Sequence, residues 1–271
     1  MRSIRDFQLE GKRVLLRCDL NVPFKEGATQ DDFRIEQSVP TIQYLAAEGA
    51  ECIILSHLGR PTPVFSRFAR SGVARQKEFS LKPIATRLQE LVRKEVKFIA
   101  DSIGEKVQSQ IGEMKPGEIA LLENIRFYQG EEENDLAFAK KLAQLGDLYV
   151  NDAFGACHRA HASIVGIPKF LPSAAGLLLE KEVAVLGKIG THPAKPLVVV
   201  VGGTKVGDKA SFLKAISKHA DAILLGNLIS KEVQGRGIDL AGQTELVYAT
   251  DGADGDFDLG PETIKIFREK I

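Results

Sequence analysis

The chain has 271 residues, 44% hydrophobic and 27% charged, with 36 Lys and Arg set against 36 Asp and Glu. That length supports two domains with buried cores, and the balanced charge supplies no general field for nucleic acid or an anionic membrane. The three cysteines form no C-x-x-C pair, the opening MRSIRDFQLEGKR has no apolar core of signal-peptide length, and no apolar run reaches bilayer length; the expectations are a reducing cytoplasm, no disulfide framework and no membrane span.

Short runs of aliphatic and β-branched residues alternate with helix-period patterns along the chain. The first domain offers RVLLRC (Arg13–Cys18), ECIILS (Glu51–Ser56), VKFIA (Val96–Ala100), EIALLE (Glu118–Glu123) and DLYVND (Asp147–Asp152) as strands. LVVVVG (Leu197–Gly202), DAILLG (Asp221–Gly226) and ELVYAT (Glu245–Thr250) come after them. Most are apolar on both faces, as parallel strands between helices are. The polar stretch from Arg60 to Phe79, with Arg67, Arg70, Arg75 and Lys77, reads as a solvated loop. Leu81, Ile84, Ala85, Leu88, Leu91 and Val92 recur at helical spacing, with Ser80 placed as the N-cap. Leu136, Ala139, Leu142 and Ala143 do the same, with Gly146 where a C-terminal cap belongs.

This alternation predicts an α/β protein of two Rossmann-like domains, each a parallel sheet in a three-layer α/β/α arrangement with right-handed crossovers. The segment LPSAAGLLLEKEVAVLGKIGTHPAKP divides the chain. The expected boundaries are 1–174 for the first domain, 175–190 for a connecting helix and hinge, and 191–271 for the second.

Ligands of open α/β sheets sit beyond the carboxyl ends of the strands. There the first domain carries Asp19 and Asn21 (CDLNVP), His57 and Arg60 (SHLGRP), Asn124 and Arg126 (ENIRF), then Asp152, His158, Arg159 and His161 (NDAFGACHRAHAS). Arg34, in DDFRIEQ, is added by the loop before the first helix. A lone arginine at a strand end is usually a surface residue; four at one edge make a site for a small, heavily anionic ligand, because guanidinium forks match phosphate and carboxylate. Asp19 and Asn21 suit hydroxyl groups on the same molecule. His158 and His161 match no zinc spacing, so hydrogen bonding is expected of them and no metal ligands are assigned.

In the second domain, VVVVGGTKVGDK is not a Walker A loop, since Asp208 separates Gly207 from Lys209. Gly202 and Gly203 permit close backbone approach at a strand end, and Lys205 and Lys209 come next, an anion-binding corner at a helix N-terminus.

LLRCDLNVP, SHLGRP, LLENIRF, NDAFGACHRAHAS, AGLLLEKEV and VVVVGGTKVGDK occur in the order and spacing of phosphoglycerate kinases, and the resemblance runs to about Leu225. It implies a monomeric, two-domain, hinge-closing cytoplasmic enzyme that transfers phosphate between 1,3-bisphosphoglycerate and ADP, giving 3-phosphoglycerate and ATP, with Mg2+ carried on the nucleotide. By resemblance, Asp19, Asn21, Arg34, His57, Arg60, Arg126 and Arg159 bind 3-phosphoglycerate. Gly203, Lys205, Lys209 and Gly226 bind the nucleotide, and Arg34 and Lys205 stabilise the transferring group as the domains close.

Two features depart from the family pattern. Only Gly226 remains of a glycine triplet, in LLGNLISKEVQ. DLGPETIKIFREKI resembles the family's IGP helix, with Ile264, Phe267 and Ile271 on one face, and the later glycine loop for Mg-nucleotide is absent from the sequence. The expectation is therefore a truncated second domain of about three strands, in a chain that binds 3-phosphoglycerate better than it catalyses. A non-catalytic phosphoglycerate-binding relative is the alternative reading.

Overall fold

The computed structural model describes residues 1–25, 28–61, 77–203, 209–236, 244–253 and 258–271. Arg67, Arg70, Arg75, Lys205 and the side chain of Lys77 lie outside the described residues. The chain separates into two compact units, Met1–Val183 and Ala184–Ile271.

The first unit runs β1 (Arg13–Cys18), a hairpin of β2 (Phe24–Lys25) and β3 (Ala28–Thr29), α1 (Phe33–Ala47), β4 (Glu51–Leu55) and α2 (Lys82–Val92). It continues through β5 (Val96–Ile99), α3 (Glu105–Gly112), β6 (Ile119–Leu122), α4 (Gln129–Glu132), α5 (Leu136–Ala143), β7 (Leu148–Asp152) and β8 (Ser173–Ala175). Helix α6 (Leu177–Thr191) is next, its residues from Ala184 onward belonging to the second unit.

Six parallel strands pair in the order β5-β6-β4-β1-β7-β8. Val14 stands opposite Cys52 of β4 on one side and Leu148 of β7 on the other. Strand periodicity then sorts side chains between two cores. Val14, Leu16 and Cys18 join Cys52, Ile54 and Val150 against Ile35, Ile42 and Leu45 of α1 and Ile84 and Leu88 of α2. Leu15, Ile53, Leu55, Ala120, Leu122 and Tyr149 point to the opposite face, against Val107 and Ile111 of α3 and Ala139 and Leu142 of α5. Both faces of the sheet are therefore covered by helices, and each fully buried Leu or Ile contributes about 1.5–3 kcal/mol.

Three local expectations are corrected. Leu81, not Ser80, is the N-cap of α2; Ser80 stands one residue earlier and its Oγ accepts from Lys82 N at 3.3 Å. Gln144 ends α5, and Gly146 is not a left-handed cap: a Cβ there would lie 2.7 Å from Leu15 Cγ and 3.1 Å from the Arg13 carbonyl. Its glycine serves close packing of the turn after α5 on β1. Arg34 lies in the first turn of α1, not in the loop before it.

The second unit has β9 (Val198–Val201), α7 (Ala210–Ile216), β10 (Ala222–Leu225), α8 (Asn227–Arg236), β11 (Glu245–Tyr248), a hairpin of β12 (Gly252–Ala253) and β13 (Asp258–Leu259), and α9 (Pro261–Arg268). The parallel strands order β11-β10-β9, and only the central β10 is buried throughout; Val200 of β9 is 56% exposed. Val201, Leu213, Ile216, Ile223, Leu225, Ile229 and Val233 form the core. The apolar face expected of the last helix is narrower. Phe267 is buried, but Ile264 is exposed and Ile271 lies beyond the helix end at Arg268. No helix among the described residues is long and apolar enough to cross a membrane.

Candidate anion-binding site

Strand β1 is where the order reverses: β4 lies on one side of it and β7 on the other. The loops leaving these strands and β6 diverge there, and the crevice between them is a pocket of about 320 Å³. Asp19, Asn21, Arg34, His57, Arg60, Arg126 and Arg159 all line it, with Gly59, Gly155 and Ala156. Four guanidiniums thus face one carboxylate. His158 and His161 do not line this pocket.

The polar contacts hold these groups in place. Arg34 Nη1 donates to Asp19 Oδ2 at 2.6 Å, and Asn21 Oδ1 accepts from Gly59 N at 2.8 Å. Arg126 Nη1 donates to the Gly59 carbonyl at 2.7 Å, so a single residue ties the β1 and β6 loops together. Gly59 adopts φ +59°, and a Cβ on it would sit 2.4 Å from the Phe79 ring, which explains glycine at this point. Asn124 locks the same corner, its Nδ2 donating to the Leu58 carbonyl at 2.8 Å while its Oδ1 caps Arg126 N at 3.0 Å. Burial lowers the Arg126 pKa, with the Glu132 carboxylate, 3.2 Å from Nε, opposing that shift; the guanidinium remains cationic.

His57 is buried, and its Nδ1 lies 3.0 Å from Arg17 Nη2. A guanidinium only donates, so Nδ1 accepts and the ring proton sits on Nε2. Burial, then the positive charges of Arg17 and Arg126, push the His57 pKa down to about 2. It is a neutral donor among arginines.

Arg17 is the residue that reading strand ends misses. It is 1% exposed, and its Nε donates to Ser163 Oγ at 2.9 Å. The available signal is a charged residue inside the otherwise apolar RVLLRC, which requires buried partners. His161 is nearly buried, with Nδ1 3.8 Å from Glu131 Oε1, and burial lowers its pKa.

In the second unit a pocket of about 210 Å³ is lined by Val200, Val201, Gly202, Gly203, Gly226, Asn227, Leu228, Asp258, Leu259 and Phe267. Gly203 and Gly226 are thus brought together. Lys209 occupies the N-cap position of α7, and its Nζ folds back to donate to the Gly202 carbonyl at 2.6 Å. Gly203 has φ +107°, and a Cβ there would fall 2.3 Å from that ammonium. Asn227 and Phe267 are additions: Asn227 Nδ2 donates to the Asp258 carbonyl at 2.6 Å, which joins α8 to the β13 hairpin.

The family model "Phosphoglycerate kinase" matches residues 4–240. The phosphoglycerate kinase of Dictyoglomus turgidum is 49% identical over 224 residues, covering 83% of this chain and 54% of that protein. That of Thermosipho africanus is 42% identical over an alignment covering 99% of this chain and 76% of its own. Among solved structures, the Coxiella burnetii phosphoglycerate kinase matches with TM-score 0.70 and 34% identity, over 99% of this chain and 63% of that one. The Pyrococcus horikoshii enzyme matches with TM-score 0.75 and 33% identity, over 88% and 58%. The chain spans about half the length of the Dictyoglomus protein. With a family match over most of its residues and a doubly wound sheet whose switch-point loops gather the motif arginines, the chain belongs to the phosphoglycerate kinase family.

Proposed function

We propose that the chain serves reversible phosphoryl transfer between 1,3-bisphosphoglycerate and ADP, with 3-phosphoglycerate bound in the first unit and the nucleotide in the second. The observation that carries this reading is the convergence of seven polar residues, four of them arginines, on one pocket at the sheet's switch point. Arg60, Arg126 and Arg159 take the ligand's phosphate, for which a paired N–H fork is suited. His57 offers its Nε2–H, and Asn21, its oxygen already bonded to Gly59, offers amide hydrogens to the hydroxyl or carboxylate. Asp19 anchors Arg34 rather than serving a ligand hydroxyl alone.

Phosphoryl transfer asks little covalent help from protein. In the direction of ADP formation the attacking atom is a carboxylate oxygen of 3-phosphoglycerate, already anionic, so no general base is needed. What the protein supplies is in-line placement and positive charge on the moving group's oxygens. Arg34 is assigned that role in the first unit. Lys205 is its counterpart in the second, with Gly203, Lys209 and Gly226 holding the nucleotide and Mg2+ arriving as part of that substrate. The same reading carries a cytoplasmic monomer acting on small molecules.

The test is calorimetric titration with 3-phosphoglycerate. The chain is expected to bind it, and Arg60→Ala or Arg159→Ala to weaken binding at least about tenfold, the worth of one charge-assisted bond. Equal affinity in wild type and both variants would remove the pocket from the assignment.

A further inference from the structure

We propose that Glu131, which does not line the pocket, is a positioning residue for His57, acting through Ser163 and Arg17 to fix which imidazole nitrogen carries the proton. The inference rests on the reading of the pocket as the 3-phosphoglycerate site.

Arg17 lies on β1, one residue from its end, on the sheet face that carries Leu15. Buried there, its five N–H groups need acceptors. Nη1 donates to the Cys18 carbonyl, Nε donates to Ser163 Oγ at 2.9 Å, and Nη2 donates to His57 Nδ1 at 3.0 Å. The Ser163 hydroxyl has one proton, and it goes to Glu131 Oε1 at 2.6 Å. Ser163 N donates to the other carboxylate oxygen at 2.9 Å.

The polarity of this relay cannot reverse. A guanidinium accepts nothing and a carboxylate donates nothing, so the hydroxyl between them must turn its proton to Glu131 and its lone pair to Arg17. Glu131 is 0% exposed on the short helix α4, and its charge balances the buried guanidinium across one hydroxyl. With Nε held by Ser163 and one Nη1 hydrogen on the Cys18 carbonyl, the guanidinium plane is fixed with Nη2 at Nδ1, and the imidazole proton is left on Nε2. His161 Nδ1 stands 3.8 Å from Glu131 Oε1, beyond hydrogen-bond length.

The test uses the full chain with 15N-labelled histidine. Long-range 15N–1H spectra of wild type are expected to show His57 wholly as the Nε2–H form. In Ser163→Ala, which keeps both charges and removes the link, the Arg17 guanidinium is released to turn away from Nδ1, and the ring is expected to become a mixture of tautomers. The dissociation constant for 3-phosphoglycerate should rise about five- to tenfold, the effect of one buried hydrogen bond. Tyr149→Phe, which removes a 2.6 Å bond to the Ser163 carbonyl without touching the relay, should leave the tautomer unchanged. A folded Ser163→Ala chain with pure Nε2–H His57 and unchanged affinity overturns the proposal. So does an Nδ1–H ring in wild type, a result that stands even if the variants do not fold. Failure of wild type to bind 3-phosphoglycerate refutes the functional reading instead, and the tautomer spectra still decide the relay.

Discussion

Asp152, the last residue of β7, is 0% exposed, and its Oδ1 accepts from Leu179 N in the first turn of α6 at 3.0 Å. Burial pushes its pKa up from 3.8 to about 6, with the Thr41 hydroxyl and then the α6 amides of Leu179 and Leu178 opposing and Glu180 adding to the rise. A carboxyl whose pKa is higher in the folded chain contributes stability that is full below the unfolded value and lost as pH rises through the folded one. Between pH 4.5 and 7.5 those two values give a loss of about 2 kcal/mol from this group alone. Asp152→Asn keeps an acceptor for Leu179 and cannot titrate. The stability of wild type minus that of the variant should therefore fall by about 2 kcal/mol over this range, every other titrating group cancelling. Urea unfolding monitored by tyrosine fluorescence suits the measurement. The chain has no tryptophan, and three of its four tyrosines, Tyr44, Tyr128 and Tyr149, lie in the first unit. A difference that stays constant within about 0.5 kcal/mol at the two pH values would refute the assignment of a buried, titrating Asp152.

Three further outcomes are expected. Gly59→Ala forces a left-handed φ and a clash with Phe79; it should weaken 3-phosphoglycerate binding about tenfold by calorimetry and lower stability by about 1–2 kcal/mol in urea melts. Gly146→Ala should cost about 1–3 kcal/mol through overlap with Leu15 while leaving that affinity intact, which separates packing from ligand binding. Lys209→Ala should lower affinity for ADP about tenfold with no change for 3-phosphoglycerate; equal losses for both ligands would show a general unfolding effect.

Much of this was legible in residue order because parallel strands covered on both faces must be apolar throughout. All eight such runs became strands; their ends shifted by a residue or so, and by two at the close of ELVYAT. Strand β8 escaped because Ser173–Ala175 is three small residues, too short for any period to show. The loops after the strands held every pocket-lining residue expected except Arg34, since chain direction in a parallel sheet sends those loops to one edge. Strand-end logic could not find Arg17, Ser163 or Glu131, whose partnership spans 146 positions and depends on which face of β1 receives an odd-numbered side chain. Asn227 and Phe267 entered the second pocket by packing of α8 and α9, which no local pattern encodes.

The neutral imidazole set among arginines has a thermodynamic consequence. A histidine beside a phosphate site ordinarily makes affinity rise on acidification, as the ring gains charge. Here His57, held at about 2, stays silent, and a guanidinium keeps its charge in proteins. Around neutrality these groups neither take up nor release protons on binding. On the proposed function, the pH profile of anion capture would therefore come from the ligand, through the second ionisation of its phosphate near pH 6. Affinity should strengthen as the phosphate gains its second negative charge, so the visitor's protonation, not the host's, sets the pH range of binding.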